Sequence, residues 1–373
     1  MIPDSQPAIP ADEPAAPPVV PRLPSAFTTA APSTTMHSRP AGSFMEDILA
    51  AAREDAAFLP VTSSTSSAEQ PEEEIPCYIA PRELPDGTLL HGYRVLSTIG
   101  SGGFGVTYLA QEALLNRTVV IKESFPDSLC YRDTETLDVC LHDPENSQNS
   151  AEWARNNFLR EVRILATLDH PCIAKVYSYF EEHKTAYYVV EYINGISLGS
   201  LAAQYAQQGS PMPQSSLFGL MVRLLDAFDY LHSRSILHRD IKPDNILVTR
   251  TGLPVIIDFG AARESYGDLS SSVVETPGFS PSEQSRPDGN MGPWTDLYAF
   301  GATLYYVLTG ACLPNCRQRE IYDTVDPLAG NEQLCQHFNP ALLATIDRAI
   351  DPVPVRRYQN VAEWMSDLAA IRL

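Results

Sequence analysis

Four polar residues in the second half of the chain could do chemistry together: Asp240, Lys242, Asn245 and Asp258. The first three lie within six residues of one another, and Asp258 follows Asn245 by thirteen positions. Transfer of a phosphoryl group needs a base beside the attacking hydroxyl, cations at the phosphates, and oxygen ligands that hold those cations. Asp240, Asn245 and Asp258 supply such groups, and Lys242 adds positive charge. The spacing therefore indicates phosphoryl-transfer chemistry.

A glycine-rich stretch earlier in the chain offers backbone N–H groups that could lie over a triphosphate. Its members are Gly100, Ser101, Gly102, Gly103, Phe104 and Gly105, followed by Val106. Residues 106–110 read as a strand, which disfavours a dinucleotide-binding turn because that motif opens into a helix. Taken alone, the stretch is equally consistent with an ordinary glycine-rich hairpin.

Lys122 ends an apolar, strand-like run sixteen residues beyond Val106. Its ammonium would point into a cleft and pair with phosphate oxygens, although a single lysine in this position is more often a device that keeps an edge strand soluble. The other motifs decide between these interpretations. Together with the glycine stretch and the His-Arg-Asp and Asp-Phe-Gly motifs around Asp240 and Asp258, Lys122 completes the protein-kinase signature set.

By these motifs the chain resembles a eukaryotic-like (Hanks-type) serine/threonine protein kinase over residues 88–373. It is most similar to bacterial members with a Lys-Glu-x-Phe-Pro run, here residues 122–126. The resemblance implies an α+β fold of two lobes, a strand-rich N-lobe (88–192) with one main helix and a mostly helical C-lobe (193–373). It also implies transfer of the ATP γ-phosphate to protein serine and threonine hydroxyls, since Lys242 follows Asp240 by two positions as in serine/threonine kinases.

The resemblance implies an ATP site as well. The glycine stretch would cover the phosphates, and Lys122 would pair with the phosphates and with Glu161. Val190 would be the gatekeeper. The adenine would lie against a pocket and a hinge formed by Val106, Val120, Leu247, Glu191 and Tyr192. Val120 stands where these kinases usually have alanine, which adds two methyl groups to the roof of the pocket.

In the catalytic group that the resemblance implies, Asp240 receives the proton of the substrate hydroxyl beside Lys242 and Lys122. Asn245 and Asp258 hold two Mg²⁺ ions, which Mn²⁺ can replace. Three structural roles are implied as well. They are an apolar spine of Leu165, His238 and Phe259, an anchor for the catalytic loop at Asp296, and a buried ion pair between Glu283 and Arg357.

Regulation is indicated by Arg239, which directly precedes Asp240. Kinases with this arrangement use a phosphate on the activation segment to pair with the arginine and order the segment. Within residues 258–283 we expect Thr276 to serve the substrate platform by bonding Asp240 and Lys242. The acceptors of that phosphate would then be a cluster of three serines, Ser270, Ser271 and Ser272. The alternative is a polar loop in a constitutively active enzyme.

The elements that must position these residues begin with short β-type runs at 93–99, 106–110 and 118–121. A helix is predicted at 153–168, strands at 174–180 and 186–192, and helices at 216–233 and 294–308. The helix at 216–233 places seven apolar residues on one face. Between Lys122 and Glu161 lie 38 residues. This length predicts an insertion at 127–151, either regulatory or a plain surface loop.

Residues 1–87 are predicted to form a disordered acidic tail. The first 85 residues hold 15 of the 31 prolines, and a stretch rich in Pro, Ala and Ser cannot bury enough apolar surface to offset the entropy of ordering. Residues 44–58 depart from this pattern, with apolar residues at helical spacing behind a capping box. They are interpreted either as a helix that docks on a partner or as a transient helix without one.

The composition narrows the choice of partners. A formal net charge of −20 argues against nucleic acid or an anionic membrane as the main partner. The seven cysteines are scattered and show no zinc spacing, which favours reduced thiols in a cytoplasmic protein. No apolar run approaches the length of a membrane span. Two other functions stay open at this point, a catalytically weak pseudokinase scaffold and a small-molecule phosphotransferase.

Overall fold

We analysed the chain in a computed structural model. The structure describes residues 82–103, 105–260, 275–286 and 289–372, together with the backbone of 263–264. The predicted helix at 44–58, Phe104 and the serine cluster at 270–272 therefore lie outside the described residues.

The described part of the N-lobe has eight strands: β1 Leu89–Leu90, β2 Tyr93–Gly102, β3 Gly105–Glu112, β4 Arg117–Ser124, β5 Cys130–Arg132, β6 Val139–Leu141, β7 Val176–Glu182 and β8 Thr185–Glu191. Six of them form an antiparallel sheet in the order β1-β2-β3-β4-β8-β7. The other two, β5 and β6, form a separate hairpin that precedes the first described helix. Strand β3 alternates buried and accessible positions along its length, because one face of the sheet covers an apolar core. Strand β8 is instead buried at six successive positions.

Helix α1, Pro144–Ala166, begins nine residues before the predicted start at 153. Asp143 caps the helix by accepting hydrogen bonds from the amides of Glu145 and Asn146. Pro144 lies in the first turn, where a backbone N–H would have no partner within the helix, so its missing N–H costs no hydrogen bond. The predicted insertion at 127–151 therefore consists of the β5-β6 hairpin and the first turns of α1. The first turns were missed because they are polar on every side and carry no apolar period.

The C-lobe is mostly helical, as predicted. Its helices are α2 Leu198–Gln207, α3 Gln214–His232, α4 Pro293–Thr309, α5 Cys316–Ile321, α6 Glu332–Cys335, α7 Pro340–Ala349 and α8 Val361–Ala369. Short strands complete it: β9 Gly195–Ser197, β10 Ile236–Leu237, β11 Ile246–Thr249, β12 Pro254–Ile256 and β13 Arg263–Glu264. Within the described ranges, no helix combines the length and the apolar character that a membrane crossing needs.

Three buried apolar clusters hold the described elements, and the smallest packs Phe279 against Tyr298 and Leu313 in the C-lobe. A second cluster lies in the N-lobe under the sheet and includes Tyr108, Ile121 and Phe125, all fully buried. The largest cluster runs from α1 through the C-lobe. All seven apolar residues predicted for one face of α3 are buried in it: Leu217, Leu220, Met221, Leu224, Leu225, Phe228 and Leu231.

The folded part begins earlier than predicted. Residues 82–87 were assigned to the disordered tail, yet Leu84 is 2% exposed and packs in the N-lobe core. The Leu84 amide donates to the Tyr108 hydroxyl at 3.1 Å, and the Gly87 amide donates to the Val95 carbonyl at 2.8 Å. The boundary at 87 was wrong because a single buried leucine amid prolines leaves no periodic signal.

Candidate active site

Asp240 lies at the centre of a hydrogen-bond cluster in the loop between β10 and β11. Its Oδ1 accepts from the Thr276 hydroxyl at 2.7 Å, and its Oδ2 accepts from the Lys242 ammonium at 2.8 Å. The Asn245 side-chain amide donates to Oδ2 and to the Asp240 carbonyl, each at 2.8 Å. The structure thus brings together residues that are up to 36 positions apart, and it fixes the Asp240 carboxylate from both sides.

The loop around Asp240 is anchored by hydrogen bonds to Asp296, a fully buried residue of α4. Its Oδ2 accepts the backbone N–H of His238 at 3.0 Å, and its Oδ1 accepts that of Arg239 at 2.9 Å. His232 adds a ring hydrogen bond at 2.8 Å. Burial alone raises the pKa of Asp296, but the His232 bond and charge outweigh it and lower the pKa below its ordinary value. The carboxylate can therefore stay ionised and hold Arg239, whose φ is +67°, in the left-handed region.

Lys122 and Asp258 form the second cluster. The Lys122 ammonium lies 2.7 Å from Asp258 Oδ1 and 3.8 Å from Glu161 Oε1. Glu161 also accepts from the Tyr188 hydroxyl at 2.7 Å. Removal from solvent acts to raise the pKa of Asp258, but the Lys122 charge and hydrogen bond overcome it and lower the pKa to about 2. The expected partner of Lys122 was Glu161, whereas Asp258 is the nearer carboxylate.

The glycine stretch forms the turn of the β2-β3 hairpin, in which Gly102 pairs with Gly105. A Cβ added at Gly105 would stand 2.4 Å from the Glu123 carbonyl oxygen on β4. At Gly102, no atom lies within 4 Å of an added Cβ. Only Gly105 is thus required for the close approach of β3 to β4, the strand that carries Lys122.

We expect Gly105→Ala to separate β3 from β4 and to weaken nucleotide binding about tenfold, with a loss of roughly 1–3 kcal/mol in unfolding free energy from overpacking. Thermal denaturation and titration with ADP measure both effects. Gly330→Ala is the control, since it adds the same methyl group to open space in the C-lobe, outside the glycine hairpin. Equal behaviour of the two variants would contradict the assignment.

The residues predicted to surround adenine lie on adjoining elements. Val106 is 1% exposed and Val190 is 5% exposed, and Val120 on β4 pairs with Val190 on β8. Glu191 ends β8, and its N–H donates to the Lys175 carbonyl at 2.8 Å. The predicted hinge residue Tyr192 follows Glu191. Leu247 lies in β11 of the C-lobe.

The predicted ion pair is present, and two of the three residues predicted for the spine are in contact. The rings of His238 and Phe259 are 4.6 Å apart, and Leu165 is buried in the same core. Burial lowers the pKa of His238, so the neutral ring suits a packing role. Glu283 and Arg357 pair at 2.7 Å with almost no exposure, and Thr295 donates to Glu283 at 3.1 Å.

A buried polar cluster in the N-lobe was not anticipated. The Glu123 carboxylate accepts from Arg132 at 2.6 Å and from the hydroxyls of Tyr108 and Tyr187, each at 2.7 Å. Arg132 is 1% exposed and comes from the β5-β6 hairpin. The only signal was Glu123 itself, a second charged residue directly after Lys122 at the end of the apolar run 119–121.

The strand-rich lobe, the glycine hairpin and the two charged clusters together define a protein kinase domain. The family model for the protein kinase domain matches residues 93–351. The chain belongs to this family, and the predicted family and two-lobed fold are confirmed.

Several bacterial proteins are similar to this chain. It is 36% identical over 292 residues to serine/threonine-protein kinase PknA of Nostoc sp., covering 74% of this chain and 46% of that protein. With serine/threonine-protein kinase D of Synechocystis sp. it shares 34% identity over 288 residues, 73% of this chain and 50% of the relative. The chain spans about half the length of these curated relatives.

A solved structure, "PpkA-294 apo form", has a TM-score of 0.68 at 36% identity and covers 77% of this chain and 100% of its own. The kinase domain of Mycobacterium tuberculosis PknI has a TM-score of 0.53 at 22% identity, over 78% of this chain and 100% of its own. The first match agrees in sequence and fold, and the second supports the fold alone.

Proposed function

We propose that this chain transfers the γ-phosphate of ATP to serine and threonine hydroxyls of protein substrates. The observation that carries the proposal is the environment of Asp240, whose carboxylate is held by Thr276, Lys242 and Asn245. A carboxylate fixed in this way can accept the proton of an incoming hydroxyl, while Lys242 offers positive charge to the transferred phosphoryl group.

Lys122 has a second part in the proposal. Its ammonium is held at the cleft by Asp258 and Glu161, and these two carboxylates raise its pKa against the effect of burial. It therefore carries a full positive charge for the α- and β-phosphates of ATP. Gly100, Gly102 and Gly105 would present the backbone of the hairpin above the same phosphates.

The donor set near Asp258 fits Mg²⁺. Asn245 uses its amide nitrogen for both bonds to Asp240, which leaves its amide oxygen as a candidate ligand, and Asp258 stays ionised because its pKa is about 2. The described residues hold no group of three or more His, Cys, Asp or Glu side chains that would bind a metal alone. Mg²⁺ usually binds one or two protein oxygens together with substrate phosphates. When bound, it would neutralise charge on the phosphates.

The contact between Thr276 and Asp240 favours a protein substrate over a small molecule, because it ties the activation segment to the catalytic carboxylate. We also propose a cytoplasmic location for the domain, where ATP is available. Incubation with γ-labelled ATP, Mg²⁺ and a generic protein substrate distinguishes the alternatives. Label on protein supports the proposal, label only on a small hydroxyl compound indicates a small-molecule phosphotransferase, and the absence of transfer indicates a scaffold.

We further expect autophosphorylation within Ser270, Ser271 and Ser272. These serines lie outside the described residues, and the expectation rests on Arg239, the cation beside Asp240, as the partner of the new phosphate. The triple Ser→Ala variant should then be about tenfold slower than the phosphorylated wild type. Peptide mapping and steady-state rates measure the two effects, with phosphatase-treated wild type as control. An unmodified cluster, or a variant as fast as wild type, would contradict regulation through these serines.

A further inference from the structure

The chain just before the kinase sheet contacts the glycine hairpin. Arg82 donates from Nη2 to the Gly102 carbonyl at 2.7 Å. The other terminal nitrogen of Arg82 lies 3.1 Å from the carboxylate of Asp127. One guanidinium thus joins the turn of the hairpin to the segment that follows β4.

Asp127 also contacts the hairpin through its backbone, whose N–H donates to the Gly103 carbonyl at 3.2 Å. Two successive carbonyls of the glycine turn, those of Gly102 and Gly103, therefore accept hydrogen bonds from outside the hairpin. Backbone groups of such a turn are otherwise left to water or to a ligand. The turn is consequently held at its tip rather than only at its base.

Arg82 is itself fixed by buried groups. Its carbonyl accepts from the Arg132 side chain at 2.8 Å, and Arg132 is paired with Glu123 in the N-lobe core. Two residues on, Leu84 is buried and bonded to Tyr108. The guanidinium of Arg82 lies 5.7 Å from the ring centroid of Phe125, within the range of a cation–π contact. The base of this arm is therefore rigid.

We propose that Arg82 and Asp127 form a latch that holds the glycine hairpin in position for nucleotide. Arg82 is a positioning residue, and its role rests on the proposed use of ATP. A loop that is ordered before its ligand arrives loses less conformational entropy when it binds. An isolated surface ion pair contributes little, but here the same cation donates to a loop carbonyl, and charge-assisted hydrogen bonds are stronger.

Nucleotide affinity of the full chain tests the latch. We expect Arg82→Ala to weaken binding of ADP and to raise KM for ATP by about fivefold, the effect of one partly exposed charge-assisted hydrogen bond. The value of kcat and the KM for the protein substrate should change by less than about twofold, because the latch acts on binding rather than on the chemical step. Arg82→Lys should restore part of the affinity, since lysine can reach one of the two acceptors but lacks the planar fork.

Arg117→Ala is the matched control. Arg117 has 39% side-chain exposure against 30% for Arg82, and it pairs with Glu112 at 2.7 Å on the same sheet. The Arg117→Ala variant should bind ADP with the same affinity as the wild type. Asp127→Asn keeps the backbone bond to Gly103, so the double variant with Arg82→Ala should bind no more weakly than Arg82→Ala alone.

Equal ADP affinity in Arg82→Ala and wild type would overturn the latch. It would also be overturned if kcat and the melting temperature fell together with affinity, since that marks general unfolding of the N-lobe. Binding of ADP needs no transfer to protein. A wild type that binds ADP but phosphorylates nothing would therefore refute the proposed function and still leave the latch measurable.

Discussion

Replacing Asp258 with alanine is expected to reduce phosphoryl transfer by roughly 10³-fold or more while the protein remains folded. In the proposed mechanism this carboxylate holds the metal ion, and in the structure it also fixes Lys122 at 2.7 Å. The substitution removes both effects at once. Initial rates with saturating ATP and Mg²⁺ measure the loss, and circular dichroism reports the fold.

Asp323→Ala provides the control for this experiment. Asp323 has 34% side-chain exposure against 40% for Asp258, and it is also paired with a cation, Arg319, at 3.0 Å. It lies in the C-lobe beyond α5 and has no part in the proposed site. Near-normal turnover of a folded Asp258→Ala protein would contradict the assignment of this residue.

The pH dependence of activity should not reflect Asp258. Its folded pKa of about 2 lies below its ordinary value of 3.8. The ion pair with Lys122 is therefore fully present above about pH 4 and is lost only as the pH falls toward 2. Any fall in rate between pH 7 and pH 5 must arise from another group.

The second large effect concerns stability. We expect Glu283→Ala to lower the unfolding free energy by roughly 3–5 kcal/mol, because it leaves the Arg357 charge buried without its partner. The Arg357 side chain has no exposed surface, and the Thr295 hydroxyl also loses its acceptor in this variant. Urea denaturation followed by fluorescence measures the change. Asp169→Ala, which removes an exposed pair with Lys175 at 3.0 Å, should cost no more than about 1 kcal/mol.

A double variant sharpens the stability test. Glu283→Ala combined with Arg357→Met removes both charges, and it should recover part of the lost stability because no unpaired ion stays buried. If Glu283→Ala were as mild as Asp169→Ala, the pair would be contributing little and its burial would not explain the packing of the C-lobe.

The parts of the protein that could be predicted are those marked by residue types at short, fixed spacing or by a regular apolar period. The glycine turn, Lys122 and the Asp240 loop follow from residue types at fixed spacing, and the amphipathic face of α3 follows from its apolar period. The residues of the Asp240 cluster lie together because Asp296 holds the loop, and this anchor was itself implied by the family resemblance.

Contacts between distant polar residues could not be read from the sequence. The burial of Arg132 against Glu123 depends on how the β5-β6 hairpin folds back, and a hairpin so short carries no strong period. The same holds for Arg82, which lies among prolines and reaches the glycine turn twenty residues on. The sequence also could not show which carboxylate lies nearer to the Lys122 ammonium, because both Glu161 and Asp258 lie within 4 Å of it in the folded protein.

The most direct test of the proposed activity is the transfer of ³²P from γ-labelled ATP to a protein substrate, with wild type and Asp240→Asn assayed side by side. Asparagine keeps the shape of the side chain and its place beside Thr276 and Lys242, but it cannot serve as a proton acceptor. We predict label on phosphoserine and phosphothreonine with the wild type, and a rate at least roughly 10²-fold lower with the variant. Transfer by Asp240→Asn at the wild-type rate, or the absence of phosphoserine and phosphothreonine with a folded wild type, would contradict the proposal.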